Sequence, residues 1–141
     1  MLASPCDAIV GACGPVQGLQ VFQAKGFAYT LPRLFCRNER AVIHARLGRG
    51  GHPVALVPVA AILVASLRLH WRSTLLGVDY HGPDELPCDA GFVKGQEMGW
   101  FQHGSTIIVF APCGFVLAPG IETGAVIRMG QALMRLPTLN P

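Results

Sequence analysis

The chain reads as a mainly β domain, a barrel or sandwich of short strands, and three observations lead there. Gly 17 and Pro 11 together make up about a fifth of the 141 residues, which punctuates the chain too often for long helices or a coiled coil. Apolar residues reach 51% and charged residues 13%, about half the usual charged share of roughly 25%, so a disordered or strongly charged tail is not expected. Ile107–Phe110 is a β-branched run bounded by Gly104 and Pro112, the clearest strand signal in the chain. The length suits one domain, and residues 1–141 are taken as a single unit.

The elements follow in order. Residues 4–30 hold two short strands, Ala8–Val10 and Leu19–Gln23, separated by Gly11, Gly14 and Pro15. Residues 40–47 run Arg-Ala-Val-Ile-His-Ala-Arg-Leu, and a glycine-rich turn from Gly48 to Pro53 hands over to Val54–Val57, which predicts a hairpin. Ala60–Leu69 is dense in Val, Ile and Leu with Ser66, Arg68 and His70 alternating near its end, favouring a strand over a buried helix. Residues 77–91, rich in Gly, Pro and Asp, form a loop. Phe115–Leu117 and Ala125–Arg128 complete a β-rich tail, and no internal repeat is evident.

Charge and cysteine usage narrow the function classes. The net charge is +3, with Arg33, Arg37, Arg40, Arg46 and Arg49 clustered and Glu39 the one acidic residue among them. Guanidinium groups suit phosphate, so an anionic surface of phospholipid head groups is a fitting partner. Nucleic acid is not expected, because neither an aromatic platform nor zinc-finger spacing accompanies the cluster. The cysteines at 6, 13, 36, 88 and 113 form no C-x-x-C pair, so no metal site is expected, and reduced, partly buried thiols in a cytosolic setting are. Met1-Leu-Ala-Ser-Pro-Cys-Asp has neither a basic nor an apolar leader region, so no secretory signal is expected. The apolar run from Pro53 to Leu67 is shorter than the roughly 20 residues of a bilayer span, so any membrane contact is peripheral.

The segment that carries chemistry is Lys94-Gly-Gln-Glu-Met-Gly-Trp-Phe-Gln-His-Gly-Ser-Thr, running into the β-run. Gly104-Ser105 sets a hydroxyl beside a carbonyl that an unencumbered glycine leaves open to attack. Attack of Ser105 Oγ on the Gly104 carbonyl gives an ester. Elimination then gives dehydroalanine, and hydrolysis leaves a pyruvoyl group on the new N-terminus. Taken alone, Gly-Ser-Thr is an ordinary turn.

In context the chain resembles the phosphatidylserine decarboxylase proenzymes, a pyruvoyl-dependent family. The resemblance rests on Lys94-Gly-Gln-Glu-Met-Gly with Phe101 and Gly104-Ser105-Thr106, and on Leu34-Phe35-Cys36-Arg37-Asn38-Glu39-Arg40. Val57-Pro58-Val59-Ala60 through Ala65-Ser66, Ser4-Pro5-Cys6-Asp7 and Gln23-Ala24-Lys25-Gly26 add to it in the family's order. The resemblance implies a barrel-sandwich-hybrid-like fold with the processing site at a turn between strands. It also implies a zymogen that cuts itself into a β chain, residues 1–104, and an α chain, residues 105–141, which stay associated. Ser105 would supply the pyruvoyl group, whose ketone takes the amine of phosphatidylserine and accepts electrons as carbon dioxide leaves, giving phosphatidylethanolamine. The implied location is peripheral, on the cytoplasmic side of the cell membrane.

The resemblance assigns Asp7 to a triad-like group with a His and Ser105, since a weak hydroxyl needs a base and the base an orienting carboxylate. His103, next to the scissile glycine, is a possible assistant. The chain departs from the family pattern between Thr30-Leu31 and Leu34-Phe35, where Pro32-Arg33 stands in place of several dozen residues that carry the family's His partner. The family's N-terminal membrane-seating region is also not seen before Ser4. His44, His52, His70, His81 and His103 are read as surface or strand-face residues, and Tyr80-His81 is not given the missing role. Trp71, Trp100, Phe101 and Phe110 are read as core or rim packing, Met98 as packing near the processed site, and Lys94 as a solvated turn residue. Three alternatives stay open: a catalytically inactive, truncated family member; a lipoyl-like non-catalytic β domain, although no lysine sits in a Met-Lys-Met-like turn; and a pyruvoyl decarboxylase of a soluble amino acid.

Overall fold

A computed structural model describes residues 1–16, 20–24, 27–30, 40–48, 50–60, 66–72, 75–77, 80–102 and 106–137. Among these, every regular element is a β-strand, and the strands form small antiparallel sheets that do not close into one barrel. The mainly β, sandwich-like expectation holds.

The hairpin expected over 40–57 is present as β5, Ile43–Leu47, and β6, His52–Val59. Their register runs from Leu47↔His52 to Ile43↔Leu56. Along β5 the residues alternate half-buried and exposed, with Ile43, Ala45 and Leu47 inward and His44 and Arg46 outward, the two-residue period that a half-covered strand imposes. Gly48 and Gly51 close the turn at φ of 57° and 61°, a left-handed backbone that glycine adopts without steric cost. The other edge of β6 takes β10, Thr106–Phe110, from Thr106↔Val59 to Phe110↔Ala55. Central position explains the buried run at the end of β6, where Val57, Pro58 and Val59 are covered, with Val54 buried as well. Pro58 gives the ladder no N–H, and it lies past the end of β5, where its carbonyl accepts the Ala41 N–H at 3.2 Å.

A second sheet has β7, Ser66–Leu69, between β8, Leu75–Gly77, and β9, Gly99–Phe101. The strand expected over Ala60–Leu69 is thus confirmed from Ser66 onward; Ala60 lies outside any strand, and residues 61–65 lie outside the described residues. The loop expected over 77–91 begins one residue late, because Gly77 pairs with Ser66, and residues 80–98 carry no strand.

The N- and C-terminal regions interlock. Strand β1, Leu2–Ala3, pairs with β13, Ala132–Arg135, which also pairs with β11, Val116–Leu117. Strand β2, Ala8–Ile9, pairs with β12, Val126–Ile127. Ile127 of β12 and Leu133 of β13 join Val10, Ala118 and Ile121, from the segments that follow β2 and β11, in a core against which Val109 of β10 packs. Burying each such side chain contributes about 1.5–3 kcal/mol for the larger ones. The remaining pair is β3, Gln20–Ala24, with β4, Phe27–Thr30. Strands β1, β4, β8, β9 and β13 were not anticipated from sequence; each is short and owes its existence to a partner strand rather than to its own pattern.

Candidate functional site

The Lys94–Gly99 motif is a clamp that sets β9 against β7. Lys94-Gly95 forms an exposed turn in which Gly95 takes φ of 85°, closed by the Gln96 N–H donating to the Val93 carbonyl at 3.0 Å. The Gln96 side chain returns a bond, its Oε1 accepting the Val93 N–H at 3.0 Å. Glu97 Oε1 accepts from His70 Nε2 at 2.6 Å, and the Met98 carbonyl accepts the His70 N–H at 3.0 Å. Gly99 closes the clamp, since a Cβ there would collide with the Arg68 carbonyl oxygen. A glycine is required by this close backbone approach. Trp71 and Phe92 add an edge-on ring contact at 5.0 Å, and Arg72 Nη2 donates to the Pro87 carbonyl at 3.2 Å.

Beyond the clamp, β9 pairs with β7 as Leu69↔Gly99, Arg68↔Trp100 and Leu67↔Phe101. Pairing continues to Gln102, whose N–H donates to the Ser66 carbonyl at 3.3 Å, while the Ser66 hydroxyl donates to Gln102 Oε1. Ser66 is buried, so this bond satisfies a hydroxyl that would otherwise be costly to cover. Strand β10 begins at Thr106, opposite Val59. The β6–β10 and β7–β9 ladders run in different registers.

Gly104 and Ser105, the pair expected to be cut, and His103 come between Gln102 and Thr106 in sequence and lie outside the described residues. So do Arg33, Arg37 and Arg49, Cys36, Lys25-Gly26 and the Leu34–Glu39 part of the family-like segment. Asp7 is described: its Oδ1 accepts the Met129 N–H at 2.7 Å, and its Oδ2 lies 3.7 Å from Arg128 Nη1. This carboxylate therefore ties the start of β2 to the turn after β12. Next to it, burial first and the Asp7 charge second push the Cys6 thiol up.

The described histidines are dispersed. His44 and His81 are exposed, His52 stands edge-on to Phe115 at 5.9 Å, and His70 is held by Glu97 at the far end of β9 from the scissile pair. Cys6 and Cys13 are half-buried as expected, whereas Cys88 and Cys113 are exposed because the loops that carry them have no covering strand. Among the described residues no group of three or more His, Cys, Asp or Glu is placed to hold a metal, and no helix is long and apolar enough to cross a membrane.

Sequence reasoning had assigned Arg68, Arg72 and Trp100 no site role. Together with Leu69, His70 and Gln102 they line an open groove of about 420 Å³ along the outer face of β7 and β9. The Ser66, Arg68, His70 alternation was the signal that could have found it.

Comparison with known proteins brings these segments together. The family model for phosphatidylserine decarboxylase matches residues 30–135. A phosphatidylserine decarboxylase proenzyme of Shewanella baltica is 39% identical over 123 residues, 77% of this chain and 39% of the relative. One of Albidiferax ferrireducens is 34% identical over 141 residues, 96% of this chain and 48% of the relative. One of Shewanella frigidimarina is 28% identical over 211 positions, 96% of this chain and 70% of the relative. Those 211 positions exceed the length of this chain, so several dozen positions of that relative have no counterpart here. The chain spans less than half the length of the Shewanella baltica and Albidiferax relatives. No solved structure matches. With the matched region running from the last residue of β4 to the end of β13 and enclosing both the clamp and Gly104-Ser105, the chain belongs to the phosphatidylserine decarboxylase family.

Proposed function

We propose that the chain is a proenzyme that cuts itself between Gly104 and Ser105 and then decarboxylates phosphatidylserine to phosphatidylethanolamine. The observation that carries this reading is the family match over 30–135, which takes in both the Lys94–Gly99 clamp and the Gly104-Ser105 bond. Cleavage forms a bond from Ser105 Oγ to the Gly104 carbonyl carbon and breaks the amide bond to the Ser105 nitrogen. Loss of the Gly104 carboxylate then leaves dehydroalanine at 105, and water releases its nitrogen as ammonia to give the pyruvoyl. The group supplies an electron sink for loss of carbon dioxide.

The strands on either side of residues 103–105 support this reading. Strand β10 starts at Thr106, one residue after Ser105, and its ladder with β6 would hold the new N-terminus in place. Strand β9 is held by β7 on the other side of the cut, which favours continued association of residues 1–104 with 105–141. Asp7, placed at the β2 end and already holding Met129 and Arg128, is the carboxylate proposed to support processing, with His103 as a possible assistant beside the scissile bond. Exposed Arg46 on β5 belongs to the arginine cluster proposed to meet an anionic membrane surface, and the proposed location is peripheral, on the cytoplasmic side of the cell membrane.

Intact-mass measurement of the purified chain under denaturing conditions tests this reading, with and without phenylhydrazine. The expected result is two fragments, residues 1–104 and 105–141, with the smaller one shifted by the carbonyl reagent. A single uncut and unreactive chain would overturn it and favour a non-catalytic β domain.

A further inference from the structure

We propose that the groove on the outer face of β7 and β9 binds the phosphodiester of the lipid head group through Arg68 and Arg72, with Trp100 as its apolar wall. The proposal rests on the decarboxylase reading and adds a substrate-binding subsite to it. Arg68 and Trp100 are directly opposite across the ladder, and both are exposed. On β7 the neighbours of Arg68, Leu67 and Leu69, are buried, and Leu69 also lines the groove. Arg72 reaches the same groove, its guanidinium steadied by the Pro87 carbonyl at 3.2 Å.

The charge balance of the groove calls for an anion. Glu97, the nearby carboxylate, is engaged by His70 at 2.6 Å. Among the described residues neither Arg68 nor Arg72 has a carboxylate within ion-pair distance. Two such guanidinium groups offer a fork of donors matched to phosphate oxygens. The volume, about 420 Å³, lies within the usual span of roughly 300–1,000 Å³ for small-ligand sites. An indole beside the cations suits the glycerol and first methylenes of a lipid, being apolar on its face and polar at its edge.

Position decides which anion. Gln102 lines the groove and precedes Ser105 by three residues, at most about 11 Å of extended chain. In a serine phospholipid the phosphate lies a few bonds from the amine that must meet the Ser105-derived ketone. A phosphate site next to the scissile pair, rather than on it, is what this substrate requires.

The test uses the full chain carrying Ser105→Ala, so that binding is read without cleavage or turnover. Calorimetric titration with dihexanoyl phosphatidylserine below its micelle concentration is compared with inorganic phosphate and with dihexanoyl phosphatidylcholine. Saturable binding of the serine lipid is expected, weakened about tenfold or more by Arg68→Gln with Arg72→Gln. The paired Arg→Lys variant should fall between, because charge remains and the fork is lost. Arg128→Gln, outside the groove, should change affinity less than twofold, and circular dichroism must match across the variants. No binding, binding undiminished in the Gln pair, or equal affinity for inorganic phosphate would each overturn the head-group site. Arginine-dependent binding in a chain whose Ser105 form stays uncut would overturn the decarboxylase reading alone. A chain that cuts itself while the Gln pair binds normally would overturn the groove alone.

Discussion

Two ladders flank the Gly104-Ser105 pair in sequence, and they differ in kind. On the Thr106 side, β10 lies against β6, whose Val57, Pro58 and Val59 are buried. On the Gln102 side, β9 lies against β7, whose Ser66, Arg68 and His70 present polar groups to Gln102, Trp100 and Glu97. One flank is built to hold and the other to bind.

The sharpest way to break this contrast is at the nucleophile. Ser105→Ala removes the attacking oxygen while leaving both ladders intact, so cleavage should be lost completely and the thermal midpoint should stay unchanged. Ser105→Cys should cut slowly, because a nucleophile remains. Intact mass over time separates the three, and cleavage persisting in the Ala variant would sink the mechanism.

Next in size is the clamp on the polar flank. Gly99→Ala forces a Cβ into the Arg68 carbonyl, and relief must come from backbone movement in β7 or β9. The expected cost is about 1–3 kcal/mol, read as a lowered denaturation midpoint, together with slower cleavage because β9 delivers the chain to the scissile pair. Gly95→Ala provides the contrast: its φ of 85° is strained for alanine but faces open space, so the cost should be about 1 kcal/mol with little effect on cleavage.

Much of this contrast was legible in the sequence, but unevenly. The hairpin of β5 and β6 was readable because its alternation is real burial, and β10 because a β-branched run between Gly104 and Pro112 has few other outcomes. The motif around Lys94 pointed to the Gly104-Ser105 bond. What it could not reveal was why Glu97 and Gly99 are there: their partners, His70 and Arg68, are distant in sequence and adjacent only through the β7–β9 pairing. The same holds for β9 and β8, three-residue strands with no period of their own. Arg68 was visible as part of an alternation, yet the groove needed Trp100 from another strand. Asp7 was singled out by family resemblance, while its link to the Arg128-Met129 turn, from the opposite end of the chain, follows from the β2–β12 pairing alone.

Asp7 also gives the finest test, since it must be shown to serve more than the fold. In Asp7→Asn the side-chain oxygen still accepts the Met129 N–H, and what disappears is the charge facing Arg128 across 3.7 Å. Both partners are largely exposed, so the loss of stability should stay below about 0.5 kcal/mol. Loss of that charge should also remove one of the two causes that raise the Cys6 thiol, leaving burial as the larger one. At pH 8 a greater thiolate fraction then makes Cys6 alkylate faster than in the parent chain, a local check that the substitution acted as intended. Against this near-silent structural background, a fall in the cleavage rate of tenfold or more would give Asp7 a part in processing. Cleavage at the parent rate would make it a tie between β2 and the β12 turn, and would leave the chemistry to groups at the junction itself.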